Sequence, residues 1–120
     1  MAGYLPLFPD GKAITYQATA PVVGGNVVEL TGDRTIAPAG ADSAKVVGVA
    51  SNDAAAGDDV TVYARGVQRP LADGAITAGA RVVAAAGGLV AAADEESTNP
   101  IGLALAAAAN GEPVQVRFDA

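Results

Sequence analysis

Cysteine and histidine are both absent from the chain. Without them there is no disulfide, no thiolate chemistry, no zinc site of the usual ligand types, and no imidazole to act as a general base. The redox compartment stays open, because a cysteine-free chain is compatible with any. Tryptophan is missing as well, and tyrosine and phenylalanine together number five. Positive charge is scarce: Lys12, Arg34, Lys45, Arg65, Arg69, Arg81 and Arg117 face thirteen carboxylates, for a net charge of −6. The cations are scattered along the chain, so a phosphate backbone would be repelled and no nucleic-acid partner is expected. No stretch reaches the roughly 18–20 large apolar residues needed to cross a bilayer. The segment Met1–Pro6 lacks the basic start and apolar run of a signal peptide. The expectation is a chain made and used in the cytosol, or in an assembly built there, with no membrane partner.

What remains is largely alanine, valine and glycine. The hydrophobic share is 51%, but much of it lies in runs such as Ala54–Ala56, Ala84–Ala86 and Ala106–Ala109. Alanine loses little entropy on folding and buries little area. The 120 residues suffice for one domain, and its core will be thin. Self-association or docking would add stability to such a core.

Residues 1–12 read as an extended N-terminal arm. Pro6 and Pro9 oppose helix, while Tyr4, Leu5, Leu7 and Phe8 form the densest group of large apolar side chains. A free tail rarely carries such residues. The arm either folds back on its own domain or lies across a partner. These four residues are the candidate partner-binding site.

From residue 13 to residue 120 the pattern predicts a single β domain. Short β-branched runs occur at 13–18, 27–30, 45–50, 60–65, 67–71, 81–84, 89–92, 101–105 and 114–118. Clusters of Gly, Asp, Asn and Pro separate them, which is the signature of a small barrel or sandwich. The alanine runs are too short for stable helices, with one turn at most near Ala54–Gly57 or Ala106–Asn110.

The pattern also repeats. Val47-Gly48-Val49-Ala50 leads through Ala54–Gly57 to Val60–Arg65. Ile101-Gly102-Leu103-Ala104 leads through Ala107–Gly111 to Val114–Phe118 at the same spacing. Upstream, Gly24–Val28 echoes Gly79–Val83 with one residue of slippage. The expectation is two similar four-strand units, about 21–66 and 75–119, sharing one core. Gly48 and Gly102, inside strands, mark a bulge or a close backbone crossing.

Groups that could carry chemistry are few. Asp58-Asp59 and Asp94-Glu95-Glu96 lie in turn-rich segments, where carboxylates are usually solvated. Asp53, Asp58 and Asp59 lack the spacing of an EF-hand loop. Ser43, Ser51 and Ser97 have no histidine to activate them and no Gly-x-Ser-x-Gly elbow. A P-loop is absent, and so is the interleaving of aromatics and cations that binds single strands. No catalytic residue, metal ligand or cofactor is assigned, and the chain is not expected to be an enzyme.

Several segments taken together resemble a known family. They are Pro21–Val28, Val47–Ala50, Ala55–Val60, Val62–Val67 and Ile101–Phe118, the last reading Ile-Gly-Leu-Ala through Gly-Glu-Pro-Val-Gln-Val-Arg-Phe. The chain looks like the small capsid decoration, cement or head-stabilising proteins of tailed bacteriophages. Some members of that group bear a RecA-like recombinase name, against which the missing P-loop argues here. The resemblance implies a structural virion protein on the outer surface of the mature capsid, binding the major capsid protein and stabilising its lattice. It also implies a homo-oligomer, with a trimer favoured. The competing readings are a tail component or carbohydrate-binding module, and last an enzyme of unusual design.

Overall fold

The computed structural model describes residues 13–118. The arm over residues 1–12, with Tyr4, Leu5, Leu7 and Phe8, lies outside the described residues. Ten strands follow one another: β1 (Ala13–Ala18), β2 (Val27–Gly32), β3 (Thr35–Pro38), β4 (Val46–Ala50), β5 (Asp59–Tyr63), β6 (Gly66–Gln68), β7 (Arg81–Ala85), β8 (Leu89–Ala92), β9 (Gly102–Ala104) and β10 (Val116–Phe118). The only helical element among the described residues is a single 3-10 turn, Ala86–Gly88, between β7 and β8. Elsewhere the alanine runs extend: Ala54 bridges Val22, and Ala108 bridges Ile76.

The first five strands close a barrel in the order β1-β3-β2-β4-β5. The last five form a sheet in the order β6-β10-β9-β7-β8. These are the same topology displaced by 54 residues. In the first unit Ala18 pairs with Ile36 in the parallel β1–β3 contact. In the second, the positions 54 further on, Ala72 and Val90, make an isolated parallel bridge. That closure shrinks to one bridge in the second unit. Loop hydrogen bonds keep the same displacement: Gly57 N donates to Ala18 O and Gly111 N to Ala72 O, while Gly25 N donates to Ala50 O and Gly79 N to Ala104 O. The slippage read upstream is therefore not present, and Val28 corresponds to Val82. Each unit has five strands, one more than the pattern outlines. β3 escapes a reading based on apolar runs because Ile36 is its only large apolar residue.

The cores repeat too. Ala18, Val22, Val28, Ile36, Ala50, Val60 and Val62 form one buried cluster. Ala72, Ile76, Val82, Val90, Ala104, Val114 and Val116, each 54 positions later, belong to another. Burying a valine or isoleucine contributes about 1.5–3 kcal/mol, so each interior depends on about four or five such side chains. The second cluster also takes in Val27, Ala39 and Val49 of the first unit. Because side chains alternate along a strand, Val28 faces the first barrel's interior while Val27 faces outward, under the second unit.

Gly48 and Gly102 hold corresponding places. The β2–β4 register slips by one residue between Val28 and Glu29, beside Gly48. Gly48 has φ +146°, and a Cβ there would press on the Tyr63 carbonyl oxygen and lie 2.9 Å from Ala64 Cα. A Cβ on Gly102 would stand 2.6 Å from Val116 Cγ1. Both strands thus cross a neighbour too closely for any side chain. Gly48→Ala is expected to destabilise the fold by about 2–4 kcal/mol. Gly57→Ala, at φ +93° with open space around it, should cost only about 1–2 kcal/mol. Urea unfolding of the two variants checks the order.

Candidate functional site

No carboxylate cluster is assembled where the sequence offers acidic runs. Asp53 Oδ1 accepts from Gly24 N at 2.8 Å, and Asp58 Oδ2 accepts from Ala55 N at 3.2 Å. Asp94 Oδ1 accepts from the backbone N–H groups of Glu96 and Ser97. Asp58 and Asp94 fix their own turns, as short polar side chains commonly do, while Asp53 ties its loop to the Gly24 turn, 29 residues away. Among the described residues no three or more His, Cys, Asp or Glu gather as metal ligands. The chemistry of this molecule is therefore read from its surfaces and from the junction between its two units.

At the junction, the turn Ala86–Gly88 sits on the outer face of β2 and β3. Gly88 N donates to Ala39 O at 3.1 Å, and Asn26 Nδ2 donates to Gly87 O at 3.4 Å. A Cβ on Gly88 would lie 2.7 Å from Val27 O, and its φ is +82°; only glycine permits this approach.

Beside the turn, the loop carrying Asp42 reaches residues 98 and 99. The Asp42 carboxylate accepts from Thr98 N at 3.0 Å, Thr98 Oγ1 at 3.0 Å and Asn99 N at 2.9 Å. Asn99 Nδ2 donates back to Asp42 O at 2.9 Å, and Asp42 N donates to Ala84 O at 2.8 Å. Asp42 adopts φ +50°, a conformation that aspartate tolerates better than most residues. Sequence reading passed over Asp42, since one aspartate in a turn-rich stretch carries no mark of partners so far along the chain.

Two clefts flank the junction. One of about 230 Å³ lies between Ser43, Ala44 and Val46 and the segment Thr98–Ile101. The other, about 220 Å³, lies between Gly25, Val49–Ser51 and Tyr63 on one side and Gln68 and Arg69 on the other. Ala13, where the described chain begins, pairs with Tyr63, one of the residues lining this second cleft.

Among the described residues, the outer face of the second sheet carries exposed side chains. Val67, Arg117, Leu103 and Arg81 lie in one cross-strand row over β6, β10, β9 and β7. Val67 is 51% exposed and nearby Leu105 44%. The corresponding row of the first unit is Ala13, Tyr63, Val49 and Val27, whose last two residues are buried by the second unit. An apolar row broken by two arginines is the composition of a contact surface rather than of a core.

A family model for phage cement proteins matches residues 8–118. The chain belongs to the phage cement protein family. Tyr4, Leu5 and Leu7 precede the matched span, and Phe8 is its first residue. Membership implies a structural role associated with the phage capsid rather than a catalytic one. No curated protein gives a significant match. Among solved structures, the N base of the head fiber gp8.5 of bacteriophage phi29 superposes with a TM-score of 0.73. It is 23% identical, over 89% of this chain and 92% of that one. At that identity the likeness establishes a shared fold.

The Asp42 clasp makes a pH prediction for this cement protein. The backbone N–H of Thr98, then that of Asn99, hold the Asp42 pKa below its ordinary value, and partial desolvation opposes them. A carboxylate whose pKa is depressed on folding contributes stability above its unfolded pKa, and that stability is lost as pH falls through the folded pKa. Asp42→Asn should therefore be less stable than the parent at neutral pH. The gap should close as pH drops below the usual carboxylate range, in urea titrations repeated from pH 7 to pH 2.5.

Proposed function

We propose that this protein binds the outer surface of the mature capsid and clamps neighbouring subunits of the major capsid protein. The observation that carries the reading is the cement-family match across residues 8–118. The physical character of the molecule supports it. Each interior is built on a few valines and isoleucines, so lattice contacts would add stability that the isolated fold has little means to supply. On a shell the contacts repeat, and many weak ones sum to firm attachment without any catalytic group. A net charge of −6 suits a soluble module facing solvent.

In this reading the protein acts as a homo-oligomer, a trimer by preference, and the segment Tyr4–Phe8 lies on the capsid or on a neighbouring protomer. An extended, proline-containing segment is well suited to adding along a sheet edge of its partner. The test is addition of purified protein to expanded capsids that lack it. The expected result is co-sedimentation and a higher temperature of capsid disruption. Deleting residues 2–12 should weaken binding about tenfold or more while leaving the β-type circular dichroism spectrum unchanged. Undiminished binding would remove the arm from the contact, and absence of binding by the full chain would overturn the reading.

A further inference from the structure

One lobe of the second unit brings two reactive dipeptides face to face. Asn110-Gly111 and Asp73-Gly74 lie between the Leu71–Pro113 and Ile76–Ala108 bridges, which hold their segments together. In each dipeptide the glycine nitrogen can attack the Cγ of the preceding side chain and close a five-membered ring. Glycine has no Cβ to crowd that attack. Asn26, Asn52 and Asn99 are followed by Val27, Asp53 and Pro100. The first two crowd the ring, and proline has no N–H to give up. In the first unit the equivalent places are Thr19-Ala20 and Ala56-Gly57, which carry no group to attack.

Both attacking nitrogens are occupied in the fold. Gly111 N donates to Ala72 O at 2.8 Å, and Gly74 N donates to Asn110 Oδ1 at 2.8 Å. Ala72 N donates back to Glu112 O at 2.9 Å, so the two segments clasp one another across the dipeptides. The bond to Oδ1 polarises the Asn110 amide. Attack also needs the Gly111 nitrogen to lose its proton and turn onto Cγ, and that nitrogen is held on the buried Ala72. Asn110 and Gly111 are themselves exposed. Reaction therefore waits on opening of the lobe, not on access of water.

We propose that Asn110-Gly111 is a fold-gated deamidation site, silent while the lobe is closed and committed once it opens. On opening, Gly111 N gives its proton to hydroxide and bonds to Asn110 Cγ. The Cγ–Nδ2 bond breaks, and Nδ2 takes up a proton from water and leaves as ammonia. Water then adds to either carbonyl of the succinimide, and the ring opens to aspartate or isoaspartate. Either product adds a carboxylate to a turn that already holds Asp73 and Glu112. Isoaspartate also routes the main chain through the side-chain carbon, which lengthens the turn and withdraws the acceptor from Gly74 N. The freed Gly74 nitrogen then faces Asp73, so a single opening event weakens the lobe against closing again. The inference is independent of the capsid reading.

The test holds the full-length protein at mildly alkaline pH in heavy-oxygen water and maps its peptides by mass spectrometry. In urea, Asn110 should convert ahead of Asn26, Asn52 and Asn99 and take up heavy oxygen as the ring opens. In the native protein its conversion should be slower by about tenfold or more. Equal rates in the two states, or no conversion in urea, would overturn the proposal whether or not any variant folds. Ile76→Ala removes buried contact from the lobe and should speed native conversion about threefold or more. Val22→Ala, the counterpart position in the first unit, should leave it within about twofold of the parent. Equal acceleration by both variants would assign the reaction to global unfolding and overturn the lobe as the gate.

Discussion

The contact on which the rest of the structure depends is the glycine turn Ala86–Gly88 lying on the outer face of β2 and β3. It lies over Val27 and Ala39, which with Val49 point away from the first barrel and would otherwise form an exposed apolar strip. Their burial in the second unit's cluster turns two small interiors into one continuous fold. The approach requires Gly88, since any side chain there would strike the Val27 carbonyl. The Asp42 carboxylate ties the same seam from a neighbouring loop with hydrogen bonds to Thr98 and Asn99. Apolar burial supplies the attraction, and the polar clasp sets the register.

This arrangement explains why a chain so poor in large side chains folds as it does. Each unit alone buries a handful of valines and isoleucines, below what most independent small domains need. Stacking one unit on the outer face of the other adds a second layer of contact without lengthening any strand. The two glycine crossings, at Gly48 and Gly102, bring strands together more closely than side chains would permit. Small residues here allow dense packing.

Much of this was legible in the sequence, and the exceptions have physical reasons. Val60–Val62 and Val114–Val116 announce inward-facing strands by their alternation, and Gly48 and Gly102 mark the shared spacing of two units. β3 did not show itself, because Thr35–Pro38 has one large apolar residue and ends in proline. The division between an interior core and a junction core was also hidden. Val27 and Val28 are alike on paper, and only the register against Val49 and Gly48 sends them to opposite sides. Asp42 looks like any turn aspartate until the fold brings Thr98 and Asn99 to it. The family was readable from the Gly–Val–Ala segments, because in a structural protein the strand and turn pattern is the main constraint on sequence. Tyr4, Leu5, Leu7 and Phe8, outside the described residues, remain a proposal about partner contact.

The account's central claim is that this protein is a structural component held on the outside of the capsid. Electron cryomicroscopy of mature particles with and without its gene measures that directly. The account predicts protrusions on the outer capsid surface that fit this double β fold and vanish when the gene is deleted. Identical outer surfaces in the two particles, or matching density confined to the tail or the capsid interior, would contradict it.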